Sequence, residues 1–274
     1  RQLAAGLPGI GIDQRPRFLV SFLLSLPLTG RVDDRHGAET TQTLALRQPE
    51  SGQGLGLAQI GCMGVTWRRK TALRSLMPDI DLDTFLSTPK TVATVHRPED
   101  LSLVSENKIA PETCDVLEFR LDSLRDHLDA AEAAMKATPF PCLVTARHPV
   151  EGGIGELPAA DREALLRRFL PLAALVDIEA RSLAEFQDLA SQAKDSGVCV
   201  VASAHDFEGP MSGETLEQIA ESSYPANADV IKVAMVLNSM LDLSSLMVLT
   251  ATLTEAGGLV ASMGMGPLGK VSRL

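Results

Sequence analysis

The stretch CVVASAHDFEG, residues 199–209, decides the reading of this chain. Small and β-branched residues run without a polar break into a histidine, an aspartate and a phenylalanine. A near-continuous apolar run of this length is the mark of a strand buried on both faces, as in a parallel sheet flanked by helices. Such a strand ends on His205 only if its C-terminal end opens onto something polar. In barrels of alternating strands and helices, that end is where the chemistry gathers.

Working outward, six more short apolar runs follow the same pattern. They are TVATV (91–95), DVLEF (115–119), CLVTA (142–146), LVDIE (175–179), DVIKV (229–233) and LVASM (259–263), with VCVVA (198–202) fifth in order. Their starts lie 24, 27, 33, 23, 31 and 30 residues apart. Between them the spacing predicts helices, notably over AADREALLRRFLPLAAL (159–175) and SLAEFQDLASQAKDSG (182–197), the second closed by Gly197 as the residue after a helix C-cap. Seven β-α units at this spacing predict an α/β fold, a (β/α)8 TIM-type barrel, over an open doubly wound sheet. No G-x-G-x-x-G follows any strand, which argues against a dinucleotide site.

The first 87 residues differ. Residues 1–70 hold nine Arg or Lys against five Asp or Glu, a net of +4, and no lysine before Lys70. The whole chain carries −10, so the remainder is strongly acidic. ESGQGLGLAQIGCMG (50–64) reads as flexible chain, and a short helix is expected near 69–77. The division is therefore 1–87, poorly structured or foreign to the main fold, and 88–274, the barrel. Within the first part, RFLVSFLLSLPLTG (17–30) is membrane-like but too short to span a bilayer, which needs about 20 apolar residues. Its RFLVSFLL is the best candidate there for an extra strand.

Composition narrows the function. With 274 residues, 45% hydrophobic and 22% charged, the chain is ordinary for a globular protein. A net charge of −10 argues against nucleic acid as a partner, because phosphate contacts need clustered cations. Cys62, Cys114, Cys142 and Cys199 form no C-x-x-C pair, so they read as small core residues in a reducing, cytoplasmic setting.

The polar residues cluster at the strand ends. They are Glu118, Arg120 and Asp122 after the second run, and Arg147, His148 and Glu151 after the third. Asp177 and Glu179 close the fourth, His205 and Asp206 the fifth, and Met263, Met265, Ser272 and Arg273 follow the seventh. Lys232 sits inside the sixth, between Ile231 and Val233. A lone strand-end charge is usually solvated or half of an ion pair, but six adjacent ends aimed at one mouth predict a pocket. An inward lysine is costly unless it has a task or a partner. Burial, or a nearby cation such as Arg147 or Arg273, frees the amine as a nucleophile able to form an imine with a ketone. The bland alternative is a lysine snorkelling to the rim, or paired with Glu118 or Glu179. An imine acidifies the neighbouring carbon, and His205 is suited to remove that proton, its tautomer fixed by Glu151 or Asp206.

Five segments in order, CDVLEFRLD, TARHPVEGG, SAHDF, IKVAM and SMGMGPLGKVSRL, resemble the type I 3-dehydroquinate dehydratases over residues 88–274. The resemblance implies a (β/α)8 barrel, often dimeric, without metal or cofactor. It implies loss of water from 3-dehydroquinate to give 3-dehydroshikimate, in the shikimate pathway to aromatic amino acids. It assigns Lys232 to the imine, His205 to acid–base work and Glu151 to its partner. Glu118, Arg120 and Arg147 bind or frame the substrate. Arg273 holds the substrate carboxylate, Met265 packs on the substrate, and Thr94 supplies a first-strand hydroxyl.

The family continues past SRL with a further helix, an eighth strand and a last helix, whose loop carries a Ser and a Gln. The expected barrel is therefore incomplete, with open edges on its first and seventh strands. Two other readings compete: another lysine-imine barrel of the class I aldolase kind, and a decayed barrel that binds without catalysis.

Overall fold

The computed structural model describes residues 26–27 and 82–273. The helix expected near 69–77 and the apolar run 17–24 lie outside the described residues, as does Leu274. All seven apolar runs are strands: β2 (Val92–Val95), β3 (Val116–Arg120), β4 (Cys142–Thr145), β5 (Leu175–Glu179), β6 (Cys199–Asp206), β7 (Val230–Val236) and β8 (Leu259–Met265). They pair in parallel and in chain order, giving a curled, incomplete barrel. A two-residue strand, β1 (Leu26–Pro27), pairs in parallel with β2, opposite Ala93 and Thr94. A proline, which has no N–H to donate, is tolerated at such an edge.

Helices alternate with the strands: α1 (Leu82–Phe85), α2 (Pro98–Ser105), α3 (Leu128–Ala137), α4 (Ala159–Phe169), α5 (Gln187–Asp195), α6 (Gly213–Ser223) and α7 (Met240–Glu255). Two expected boundaries shift. The run 159–175 is helical only to Phe169, because Pro171 cannot donate to an α-helical ladder; a 3-10 turn, Leu170–Leu172, follows. The second helix starts at Gln187 rather than 182, after a 3-10 turn, Ala180–Ser182. Gly197 has φ of 69°, the left-handed conformation expected of it. No helix of the described residues is long and apolar enough to cross a membrane.

The period-2 geometry of strands splits each run into two sets. Leu117, Phe119, Val144, Val176, Ile178, Val200, Ala202, Ile231, Val233 and Val260 join the large core under the helices. Val92, Val116, Leu143, Leu175, Cys199, Val201, Val230 and Ala261 form a second cluster with Leu86, which fills the base of the barrel. One inward step further along β2 to β7 the residue turns polar, giving Thr94, Glu118, Thr145, Asp177, Ser203 and Lys232, whereas β8 continues with Met263. The apolar base and this polar tier are the two halves of one interior.

Candidate active site

At the polar tier the inward side chains meet. Lys232 Nζ donates to Asp177 Oδ2 at 2.9 Å and lies 3.6 Å from Glu118 Oε1. Arg147 reaches in from the end of β4 and grips Asp177 with both terminal nitrogens, at 3.0 and 2.9 Å. Its Nη1 also donates to Glu179 Oε1 at 3.0 Å and to Ser203 Oγ at 2.7 Å. Glu118 accepts from Thr94 Oγ1 at 3.1 Å and from Thr145 Oγ1 at 2.8 Å. Arg162, from α4, completes the set, with Nη2 bonded to Glu179 Oε2 at 2.7 Å and to Ser182 Oγ at 2.9 Å.

Three carboxylates, Glu118, Asp177 and Glu179, thus face three cations, Arg147, Arg162 and Lys232, all buried. Buried charge survives only when matched and hydrogen-bonded, and here it is matched one for one. The electrostatics follow. Burial alone would raise Asp177, but Arg147 and Lys232 outweigh it and hold the carboxyl far below its usual range. Glu118 is likewise lowered: burial opposes ionisation, and Lys232 overcomes it.

The nearby cation expected beside Lys232 is Arg147: its Nη2 and the Lys232 Nζ donate to the same oxygen, Asp177 Oδ2, so one carboxylate lies between the two charges. Of the two pairings weighed for Lys232, the one with Glu118 is present at 3.6 Å; the one with Glu179 is not formed, since Glu179 is taken by Arg147 and Arg162.

One step further toward the mouth stands a second pair. Glu151 Oε2 accepts from the His205 backbone N–H at 3.0 Å and lies 3.0 Å from His205 Nδ1. Glu151, not Asp206, therefore orients the ring; Asp206 turns outward and accepts from the N–H groups of Glu208 and Gly209. Burial, then Arg147 and Lys232, push His205 well below its ordinary value, so the imidazole is neutral near pH 7. Burial and the Glu179 carboxylate push Glu151 up to about 7. Phe207 stacks near the His205 ring at 6.4 Å between centroids.

The local sequence explains how Glu151 gets there. HPVEGG forms a 3-10 turn, Pro149–Glu151, ended by Gly152 at φ of 84°. A Cβ on Gly153 would stand 2.2 Å from the Arg147 carbonyl oxygen, so the chain can fold back over β4 only with glycine there.

Arg120 is committed to Asp122, with two hydrogen bonds of 2.9 and 2.8 Å, and reaches the Gly152 carbonyl at 3.1 Å. Met265 ends β8, half-buried, opposite Val236. Arg273 closes a 3-10 turn, Val271–Arg273, and its side chain lies outside the described residues. Of the nine predicted site residues, Thr94, Glu118, Arg147 and Lys232 thus share one network, and Glu151 with His205 forms the pair above it. Sequence reasoning passed over Thr145, Ser203 and Arg162. The first two were findable as inward positions of their strands. Arg162 was findable as a charge on the helix face that carries Leu166 and Phe169. Among the described residues no group of His, Cys, Asp and Glu is arranged to hold a metal ion.

Comparison with known proteins agrees on one family. A model of type I 3-dehydroquinase matches residues 92–274. A 3-dehydroquinate dehydratase of Methanosarcina barkeri is 35% identical over 198 residues, covering 69% of this chain and 82% of the relative. One of Methanococcoides burtonii is 31% identical over 166 residues, covering 58% and 70%. Among solved structures, the 3-dehydroquinate dehydratase of Geobacillus kaustophilus superposes with a TM-score of 0.59 at 27% identity, covering 67% of this chain and 76% of that one.

Proposed function

The chain belongs to the type I 3-dehydroquinase family, and we propose that it converts 3-dehydroquinate to 3-dehydroshikimate through an imine on Lys232. One observation carries the reading: a buried amine and a neutral, carboxylate-oriented imidazole face the same interior, one inward step apart. Ser203 pairs with Lys232 across β6 and β7, and His205 is the next inward residue on β6. Two residues of strand rise about 6.6 Å, the span of a six-membered ring and its substituents.

The amine of Lys232 adds to the substrate ketone, and the carbinolamine loses water to give a protonated imine. That imine draws electrons from the adjacent carbon. His205, neutral and held by Glu151, removes the proton there, and the C–H electrons form an enamine. The enamine expels the β-hydroxyl, which leaves as water with the proton His205 has taken. Water then cleaves the product imine and restores the amine, so one water is lost overall. Dividing the elimination in this way replaces one high barrier with several lower ones.

Asp177 and Glu118 give the imine nitrogen's positive charge the counterions that the ammonium has already. Arg147 has both terminal nitrogens committed within the protein, so it frames the site rather than gripping substrate. We assign the substrate carboxylate to Arg273, by resemblance, with Met265 against the ring.

Borohydride reduction in the presence of 3-dehydroquinate tests this. Mass spectrometry should find a reduced adduct on the peptide containing Lys232. Lys232→Met should give none, and His205→Gln should trap adduct while turning over poorly. Absence of an adduct on the unaltered chain would refute the imine and leave a barrel that only binds.

A further inference from the structure

We infer that Arg125 is a positioning residue for the proton-transfer step, clamping the loop that presents Glu151 to His205. This rests on the imine reading above. The loop 152–156 directly follows Glu151, has no regular secondary structure and is rich in glycine, at Gly152, Gly153 and Gly155. Left to itself such a segment would hold a carboxylate poorly. In this structure it is held from below by the end of β3. The Arg125 guanidinium, just past that strand, donates to three carbonyls: Asp122 O at 3.2 Å through Nε, Glu156 O at 3.1 Å through Nη1, and Ile154 O at 3.2 Å through Nη2. The Ile154 N–H in turn donates to Asp122 Oδ2 at 3.2 Å, and Arg120 reaches Gly152 O at 3.1 Å.

Gly155 completes the fit. It sits at φ of 67°, and a Cβ there would stand 2.8 Å from Arg125 Nη2, so the space of the missing side chain is where the guanidinium enters. Only a planar fork with separated donors can bridge three carbonyls at once; the point charge of lysine cannot. Arg125 contacts neither the Lys232 amine nor the His205 ring. Its effect on the reaction runs through the loop and Glu151, whose oxygen must serve both the backbone N–H and Nδ1 of His205. A displacement of about 1 Å at such a pair costs on the order of a hundredfold in rate.

The test separates imine formation from proton abstraction. Arg125→Met and Arg125→Lys would be compared with the unaltered chain in borohydride trapping, in turnover, and in exchange of the substrate's α-proton in deuterium oxide. Trapping with 3-dehydroquinate should be unchanged, because Lys232 and its carboxylates are untouched. Exchange and kcat should fall together, about 10- to 100-fold in Arg125→Met, and less in Arg125→Lys. KM should stay within about threefold. Gly155→Ala attacks the same contact from the loop side and should show the same split. Unchanged kcat in both Arg125→Met and Gly155→Ala would overturn the inference. So would a loss of trapping in proportion to turnover, which marks general damage. Failure of the unaltered chain to trap substrate would instead overturn the imine reading on which this one stands.

Discussion

Replacing Asp177 by Asn tests the charge network most directly. Asp177 is buried at 1% exposure. Its Oδ1 accepts from Arg147 Nη1 and Ser203 Oγ, and its Oδ2 from Arg147 Nη2 and Lys232 Nζ. Asn has the same shape but turns one acceptor into a donor, so two donors then face an N–H2. It also leaves three buried cations against two carboxylates. Removing one partner from a buried pair costs about 3–5 kcal/mol, which in a unit of this size lowers Tm by roughly 6–20 °C. Lys232→Met added to Asp177→Asn restores the charge balance and removes one stranded donor. The double variant should therefore be more stable than additivity requires by about 1–3 kcal/mol. Urea unfolding at pH 7.5, followed by far-UV circular dichroism with comparable m-values, measures all four corners of the cycle. A cost under about 1 kcal/mol for Asp177→Asn, or strict additivity in the double variant, would show that the carboxylate is not what makes these cations tolerable.

Further outcomes follow from the same geometry. Glu151 has its folded value raised to about 7, so its ionisation opposes folding: full stability is present below its unfolded value, near 4.5, and is lost as pH rises through 7. The advantage of Glu151→Gln over the unaltered chain should therefore grow from pH 4.5 to 7 and then level off, in denaturation series at fixed pH; a constant difference would contradict the raised value. Asp177 has the opposite sign, its lowered value giving stability that is lost as pH falls below about 4, so Asp177→Asn should flatten the acid limb of the same series. Arg162→Met strands one oxygen of Glu179 and should cost about 3–5 kcal/mol in urea unfolding; a cost near zero would place Arg162 outside the network. Gly153→Ala must push the loop off the Arg147 carbonyl, and kcat should drop at least tenfold if Glu151 is carried away with it.

Much of this architecture was legible because it rests on strong local signals. Unbroken β-branched runs at regular spacing can be little else than buried parallel strands, and all seven proved to be so. Less legible was the stretch 182–186, where Ser182 begins an apparent helix. There Ser182 Oγ accepts from Arg162 and the chain turns before committing to α5. Tertiary bonding to a buried arginine overrode local propensity, and no pattern within the segment announces that. Of the partners of Lys232, Glu118 was weighed from the sequence and lies 3.6 Å away, but the hydrogen-bonded one, Asp177, was not foreseen. Asp177, Glu118 and Arg147 were all visible as strand-end charges, but which of them touches the amine depends on stagger between neighbouring strands. Spacing along the chain carries no record of stagger.

That stagger also bears on how a lysine proposed to form an imine can sit among carboxylates. An amine flanked only by cations would be a ready nucleophile, but the iminium it becomes would be as poorly housed as the ammonium was. On the proposed mechanism the same two carboxylates, Asp177 and Glu118, face the nitrogen before condensation and the iminium after it. His205 belongs to a separate pair with Glu151, so on the proposed mechanism the protons it would take and return leave the charge balance of the network below unchanged. On this argument, a variant that neutralises Glu118 should weaken iminium capture more than it weakens substrate binding. Glu118→Gln should accordingly trap less reduced adduct at saturating 3-dehydroquinate while KM changes little. Equal losses in both would mean that the carboxylate serves the substrate rather than the nitrogen.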